Sequence, residues 1–366
     1  MPYNTQLKDK IMKCKLCESN DLDNTGSHYI TESIARTAVS EEGKKGRDNE
    51  IMYSFSISTL GQKFIGRNIC ADKIQELNGR EMSDEEIEEN ENMLIDFNLV
   101  CRSCEKKFNP IETSFITEIL RSKIEKHITE SLLELDDRDY KVTLLFLLIT
   151  IWRTSTSSKP HYKIKGEFED EIRGIINRIS GAKTQDIIQE VDFSSGILSK
   201  IRFSCYYLNQ STGEKSENQI SITSDTNPHI LILNQLVFLV FFEYPVNFKK
   251  PELVSSFTSK NKIKNLLKSQ PNSLKVSYVS DDNRLRTLKR IAKEQVKSLN
   301  RQVNFIVKTI HLELYGFEAH RDIYKATKSE ISQLSKEDLN LHSINLVIAK
   351  YLLISGEYYK RWGIPK

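Results

Sequence analysis

The spacing of hydrophobic residues indicates helices in the first half of the chain. Apolar side chains recur at helical spacing within residues 110–152, and residues 142–152 are almost entirely apolar. This pattern predicts an amphipathic helix followed by a helix buried in the core. We expect the first helix to begin near Pro110, since proline is tolerated in a first turn, and Asp136 and Asp137 to interrupt the pattern.

Shorter segments continue this helical region. Residues 154–160 (TSTSSKP) are polar and predict a connector. Residues 168–179 have the apolar spacing of a short amphipathic helix. The middle of the chain therefore begins as a set of helices.

From about Gly196 the period changes towards two, which is typical of strands. Residues 197–208, 219–223 and 229–243 are rich in β-branched and aromatic side chains, and turn-like stretches separate them. They predict a small, mostly antiparallel sheet. The last segment is almost uninterruptedly apolar, so we expect it to be a central strand covered on both faces.

Beyond Pro245 the chain becomes basic and then helical. We expect one long helix from Arg284 to past Arg301, with Asp281 or Asp282 as its cap, and a final helix that opens near residues 335–338. The fold class is therefore α+β. We predict three segments: a cysteine-containing module (1–120), helices with an antiparallel sheet (121–250), and a basic helical region (251–366).

Composition excludes several classes of protein. Of the 366 residues, 28% are charged and 39% hydrophobic, which is a globular balance. The net charge is only +3, so bulk charge neither requires nor excludes a nucleic-acid partner. The most apolar stretches are too short or too interrupted by polar residues to span a bilayer, and the first residues lack a leader pattern. We therefore expect a cytoplasmic protein with no membrane partner.

Two local concentrations of charge stand out. Residues 81–96 contain eight acidic and no basic side chains, which favours a solvated helix or loop, although such a run can also mimic or repel nucleic acid. On the long C-terminal helix, basic residues recur at spacings of three and four and share one face. They are Arg286, Arg290, Lys293, Lys297 and Arg301. A stripe of this kind can follow a phosphate backbone, but a solvated helix face has the same pattern.

Four of the six cysteines form two Cys-x-x-Cys pairs, Cys14 with Cys17 and Cys101 with Cys104. Two such turns supply the four thiolates of a tetrahedral structural Zn²⁺ site. Although 83 residues lie between the pairs, the entropy cost of closing a loop grows only slowly with its length. The alternatives are two unrelated reduced pairs or a redox pair. Cys70 and Cys205 stand alone and are predicted to be small buried residues.

The segments around the two pairs resemble HNH-type treble-clef zinc proteins. Ser27-His28-Tyr29-Ile30 follows the first pair, and Asn98-Leu99 precedes Cys101-Arg102-Ser103-Cys104-Glu105. The arrangement is similar to that of a largely uncharacterised bacterial family with the pattern Cys-x-Leu-Cys … Ser-His-Ile-Ile-Pro … Leu-Cys-x-x-Cys-Glu. That family also has a helix ending in Trp-Arg, matched here by Trp152-Arg153. The resemblance covers about the first 155 residues.

The resemblance implies a metal-dependent nuclease site. His28 would be the general base, and Asn98 and Glu105 would occupy the other catalytic positions, with a divalent cation such as Mg²⁺ stabilising the phosphate charge. The chain departs from the pattern at Ser27, where Asp or His is usual, and at Glu105, where His or Asn is usual. His28 equally fits a ring that packs within a hairpin.

Two functions follow from these observations. The first is an HNH-like endonuclease that cleaves nucleic-acid phosphodiesters, which the resemblance associates with bacterial anti-phage defence. The second is a non-catalytic zinc module that binds nucleic acid or a partner protein, including a second copy of the chain. The departures at Ser27 and Glu105 favour the second function.

Overall fold

The computed structural model describes residues 12–39, 51–54, 62–158, 163–164, 166–179, 183–209, 220–222, 228–243, 252–268, 272–334 and 341–361. The chain divides into two compact units, Met1–Ala38 with Leu94–Thr287, and Val39–Met93 with Leu288–Lys366. These units group the sequence differently from the three predicted segments, because residues 39–93, between the cysteine pairs, are grouped with the C-terminal helices.

The described residues form a mixed α+β protein, as predicted. The strands are β1 (Ser27–His28), β2 (Ile51–Ser54), β3 (Gln62–Ile65), β4 (Ile95–Asp96), β5 (Leu132–Leu135), β6 (Arg202–Leu208), β7 (Ile220–Ile222), β8 (His229–Leu233), β9 (Leu236–Phe241) and β10 (Leu274–Val279). The helices are α1 (Glu32–Val39), α2 (Ala71–Asn78), α3 (Asp84–Glu89), α4 (Arg102–Ser114), α5 (Asp137–Thr156), α6 (Gly166–Arg178), α7 (Thr184–Glu190), α8 (Gly196–Lys200), α9 (Lys260–Lys268), α10 (Asp281–Tyr315), α11 (Arg321–Gln333) and α12 (Leu341–Arg361).

Helix α5 is the centre of the first unit. Every side chain from Val142 to Thr156 is buried, so the prediction of a core helix is confirmed. Asp136 caps the helix, because its side chain accepts a hydrogen bond from the amide of Asp139 at 2.9 Å. On one side, the ring of Phe146 stacks on Phe115 with centroids 4.0 Å apart. A helix this apolar on all sides is stable in water only when other elements surround it.

The main sheet has six strands in the order β5-β10-β6-β9-β8-β7. All neighbours are antiparallel except β10 and β6, which are parallel. One face joins the same hydrophobic core as α5. On the other face, Tyr206 contacts the ring of Phe257 and the hydroxyl of Thr258. Both layers exclude water from β9, which is central as expected.

The predicted strand at 229–243 is instead a hairpin. It is split into β8 and β9 by a turn at Asn234, whose φ of 59° is in the left-handed region that asparagine tolerates better than most residues. The unbroken apolar run conceals this turn. Strands β5 and β10 were not predicted, because each is short and flanked by helices.

Two predicted helix boundaries are wrong. Pro110 lies inside α4, which begins at Arg102 and continues after Ser114 as a π-helix over Phe115–Ile124. Residues 154–156 are not a connector but the last turn of α5. Their hydroxyl groups suit a buried helix because Thr154 and Thr156 donate to the carbonyls of Thr150 and Trp152, each at 2.7 Å.

The charged and C-terminal regions are helical where they are described. In the acidic run, α3 is a solvated helix with a capping box between Ser83 and Glu86. Helix α10 confirms the long helix expected beyond Arg284, whereas α11 was missed. Residues 335–340, where the last helix was expected to open, lie outside the described residues. Within the described part of the chain, no helix combines the length and apolarity needed to cross a membrane.

We expect Leu147→Ala to lower the free energy of unfolding by about 2–5 kcal/mol, because Leu147 in α5 is fully buried and its removal leaves a cavity. Leu132→Ala is the matched control, since Leu132 is 45% exposed and should change stability by no more than about 0.5 kcal/mol. Urea unfolding followed by circular dichroism measures both, and equal losses would contradict the central role of α5.

Candidate metal centre

The first cysteine pair lies in a tight turn near the start of the described chain. The amide of Cys14 donates to the carbonyl of Asn20, and the amide of Glu18 donates to the carbonyl of Cys14, both at 2.9 Å. Glu18 adopts a left-handed φ of 58°, which closes the turn. The amide of Lys15 donates to the carbonyl of Leu99 at 3.0 Å. This bond joins the turn to the segment that carries the second pair.

The second cysteine pair opens helix α4. Cys101 is the residue before the helix, and Cys104 lies in its first turn. The amide of Glu105 donates to the carbonyl of Cys101 at 3.0 Å, which fixes the turn between the two thiols. Sulfur atoms at this end of a helix lie near unpaired amides, which favour negative charge.

All four sulfur atoms converge. The Sγ atoms of Cys14, Cys17, Cys101 and Cys104 lie within 4.8 Å of one another, and three of the four residues are buried. A tetrahedral zinc ion with bonds of about 2.3 Å has sulfur–sulfur edges of about 3.8 Å. The four cysteines are therefore close enough to hold one metal ion, and the predicted convergence across the long insertion is confirmed.

The four thiols differ in how readily they ionise. Burial raises the pKa of Cys14 and of Cys104. Burial also opposes ionisation of Cys17, but hydrogen bonds with Ser19 and Asn20 outweigh it and lower the pKa of Cys17 to about 6. A cation between the four thiols would stabilise their thiolate forms, so the donor set suits a soft divalent metal.

Two polar side chains support one of these sulfur atoms. The Asn20 side-chain amide lies 3.6 Å from Cys101 Sγ, and the Ser103 hydroxyl lies 3.1 Å from it. Against the effect of burial, these contacts lower the pKa of Cys101. Such outer contacts orient metal ligands and tune their basicity.

Strands β1 and β4 form a short antiparallel ribbon beside the thiols. Ser27 pairs with Asp96, and His28 pairs with Ile95. Gly26 precedes the ribbon, and a Cβ there would lie 2.8 Å from Ile95 Cγ2, so any larger residue would displace the Ile95 side chain. His28 is half-buried on this ribbon, and its backbone carbonyl accepts a hydrogen bond from Arg153 at 2.8 Å. Its role as a general base remains a prediction.

A buried arginine links the ribbon to two helices. Arg153, near the end of α5, is only 1% exposed. Besides the carbonyl of His28, its guanidinium binds Glu112 at 2.8 Å and Glu105 at 3.1 Å, both on α4. The guanidinium also lies over the ring of Phe108, 4.0 Å from its centroid. Each of its charged contacts is therefore made in a largely dry environment.

The predicted catalytic residue Glu105 belongs to this network. One carboxylate oxygen accepts from Arg153, and the other accepts from the hydroxyl of Ser27 at 2.7 Å. The pKa of the neighbouring Glu112 is raised, mainly by burial. Arg153 opposes this effect, and the charge of Glu105 adds to it. The position at which the resemblance places a metal ligand is thus engaged in an ion pair.

Asn98 and its neighbour Asp96 have different environments. Asn98 is exposed in the turn after β4, and its backbone amide donates to Asp96 Oδ1 at 2.8 Å. Asp96 is buried and also accepts from the amide of Ser158 at 2.6 Å. The structure shows no direct contact between the side chain of Asn98 and Glu105 among the described hydrogen bonds.

The remaining predicted residues lie elsewhere. On α10, Arg286, Lys293, Lys297 and Arg301 are exposed and Arg290 is half-buried. Cys205 is fully buried in β6 as expected, whereas Cys70 is exposed before α2, so the prediction for Cys70 is wrong. An N-terminal helix position does not require a buried side chain, which explains that difference.

Sequence reasoning missed the central part played by Arg153 and Glu112. The available signal was a single arginine, Arg153, directly after the almost entirely apolar residues 142–152. A buried guanidinium requires acceptors, and two glutamates seven residues apart on α4 provide them.

Comparison of the chain with protein-family models, with curated proteins and with solved structures finds no match in any of the three. The resemblance to HNH-type proteins therefore stays a prediction that depends on the motifs.

We expect Arg153→Met to lower the free energy of unfolding by about 3–5 kcal/mol, because it leaves Glu105 and Glu112 without their buried cation. Adding Glu112→Gln to that variant should restore part of the loss, because one buried charge is then removed. Denaturant unfolding of both variants measures this coupling.

Arg36→Met is the control for this prediction. Arg36 is 42% exposed and pairs with Glu32, which is 37% exposed and lies one turn earlier on α1, so its loss should cost no more than about 1 kcal/mol. An Arg153→Met variant as stable as this control would contradict the assigned role of the buried pair.

Proposed function

We propose that this protein binds nucleic acid and that its N-terminal module is a zinc-stabilised treble clef of the HNH type that works without hydrolysis. The order of elements supports the treble clef: a cysteine turn, an antiparallel ribbon, and a helix that opens at the second cysteine pair. Four thiolates suit Zn²⁺, whereas Mg²⁺ requires oxygen ligands in octahedral geometry. In this proposal zinc crosslinks distant segments and takes no part in chemistry.

The observation that carries the non-catalytic assignment is the buried pair between Glu105 and Arg153. A catalytic cation bound at Glu105 would lie close to the Arg153 guanidinium, which is 3.1 Å from that carboxylate and almost completely inaccessible to water. Like charges at this separation repel strongly where the dielectric constant is low. Ser27, bound to the other oxygen, cannot supply the missing carboxylate ligand.

A second candidate function is an endonuclease with His28 as its general base. One observation favours it: His28 lies on the ribbon, and the adjacent Ser27 contacts Glu105 in the helix that opens at the second cysteine pair. In that case Asn98 and Glu105 would complete the site, and Arg153 would have to release Glu105 for the metal. The anti-phage role belongs to this candidate and follows from the resemblance alone.

The exposed basic face of α10 supports nucleic-acid binding. Lys293, Lys297 and Arg301 follow one another at helical spacing, and Arg286 precedes them by two turns; all four are exposed. Cationic side chains arranged in this way release counterions when they contact phosphates, which gives affinity without sequence preference. Such binding would weaken as salt concentration rises.

We expect the purified chain to contain one equivalent of Zn²⁺, and Cys104→Ser to reduce zinc content and stability together. Inductively coupled plasma mass spectrometry and thermal unfolding measure the two effects. Cys70→Ser is the matched control, because Cys70 is exposed and lies outside the cluster. A wild-type chain without stoichiometric zinc would exclude the structural metal.

We expect the double substitution Lys293→Glu with Arg301→Glu to weaken binding to single- and double-stranded nucleic acid and to lower the salt slope of log K by about 0.9 per lost phosphate contact. Fluorescence anisotropy across a salt series measures both. Lys126→Glu with Lys200→Glu is the control, since it changes charge equally at two exposed positions that are not part of α10.

The same samples distinguish the two candidate functions. Under the non-catalytic proposal, no labelled DNA or RNA is cleaved with Mg²⁺ or Mn²⁺. Metal-dependent cleavage that His28→Ala abolishes would instead establish the endonuclease. Equal affinities of the two charge-reversal variants would remove α10 from the binding surface.

A further inference from the structure

Helix α12 presents an exposed face with an unusual sequence. Lys350, Leu353, Ile354 and Glu357 are spaced by three, one and three residues and so share one side of the helix. Leu353 is 72% exposed and Ile354 is 48% exposed. Two large apolar side chains are thus in water between a cation and an anion.

The opposite side of α12 already packs within its own helical unit. Ile344, Val347, Ile348 and Leu352 are buried in a cluster with side chains of α10 and α11. Ser355 is also buried, and its hydroxyl donates to the carbonyl of Tyr351. Core packing therefore accounts for one face of α12 and does not explain the exposed side chains of Leu346, Leu353 and Ile354.

Lys350, Leu353, Ile354 and Glu357 are symmetric about a point between Leu353 and Ile354, and Leu346, which is 57% exposed, extends the same face one turn towards the start of the helix. An apolar residue lies immediately on each side of that point, and a charge of opposite sign lies one turn further out. If a second α12 approaches in the antiparallel direction, Leu353 faces Ile354 of the other helix and Lys350 faces Glu357. The contact between Lys350 and Glu357 then occurs twice, as a two-fold axis requires.

We propose that this face of α12 binds the same face of a second copy of the chain in an antiparallel, two-fold arrangement. Parallel pairing would place Lys350 beside Lys350 and Glu357 beside Glu357, and these like charges repel. A nucleic acid would not favour a surface with an apolar centre and an acidic end. In the antiparallel arrangement, the apolar and charged residues of this face match those of an identical face. A second copy of the chain is therefore the partner that we propose.

Lys350 can bind Glu330 of its own chain and Glu357 of the second copy at the same time. Its ammonium already binds both carboxylate oxygens of Glu330 at 2.8 Å, yet the side chain remains 54% exposed. An ammonium group has three donors, so one N–H can reach an acceptor on the second copy. The bond to Glu330 on α11 also restrains the Lys350 side chain, which lowers the entropy cost of the intermolecular contact.

A contact made by one helix face is small, so we expect a dimer that dissociates on dilution. Sedimentation equilibrium of the full chain over a series of micromolar concentrations, without nucleic acid, should show a monomer–dimer equilibrium. Leu353→Asp should raise the dissociation constant at least about tenfold, since a charge at the centre must be desolvated. Its high exposure means that the monomer should fold normally, as circular dichroism will show.

Phe305→Asp is the matched control, because Phe305 is a 69% exposed apolar residue on α10. It should leave the dissociation constant unchanged. A chain that is monomeric at every concentration, or a dimer that Leu353→Asp does not weaken more than the control, overturns the proposal.

Charge reversal tests the antiparallel direction. Glu357→Lys should weaken the dimer at least about tenfold by placing two lysines together at each end, and Lys350→Glu should do the same with two glutamates. An equimolar mixture of the two variants should recover dimerisation, because each lysine again faces a glutamate. A Glu357→Lys chain that dimerises like the wild type overturns the antiparallel arrangement. None of these results depends on nucleic-acid binding, so failure here is distinct from failure of the proposed function.

Discussion

The guanidinium of Arg153 is the contact on which the N-terminal module depends. It lies inside the protein and joins the ribbon at His28, helix α4 at Glu105 and Glu112, and helix α5, to which it belongs. A buried charge is tolerated only where anions and hydrogen bonds replace water. Moving α4, α5 or the ribbon would break this arrangement, so the network fixes their relative positions.

The thiol cluster depends on the same positioning. Its two halves are far apart in the chain, and α4 carries both the second cysteine pair and the two glutamates that bind Arg153. Lys15, within the first pair, donates to the carbonyl of Thr156 at the end of α5 at 2.6 Å. Helix α5 therefore supports each half of the cluster separately, and a metal ion would join the halves through four sulfur atoms.

The role of Glu105 depends on residues that are distant in the chain. A carboxylate directly after a zinc-type cysteine pair resembles a displaced metal ligand, and only the position of Arg153 identifies it as half of an ion pair. The partners lie on separate helices, so no local pattern relates them. The sequence shows only that Arg153 directly follows the apolar residues 142–152, and this does not specify which acceptors it binds.

The sequence by itself determined the α+β class, the buried helix α5, the strand-rich region and the pairing of two cysteine turns, because these follow from periodicity and residue chemistry. Tertiary structure decided the rest. It split residues 229–243 into a hairpin at Asn234, inserted β10 between β5 and β6, and brought Ser27, Glu105 and Arg153 together. Such contacts join residues distant in the chain, and their energies depend on burial, which local sequence does not specify.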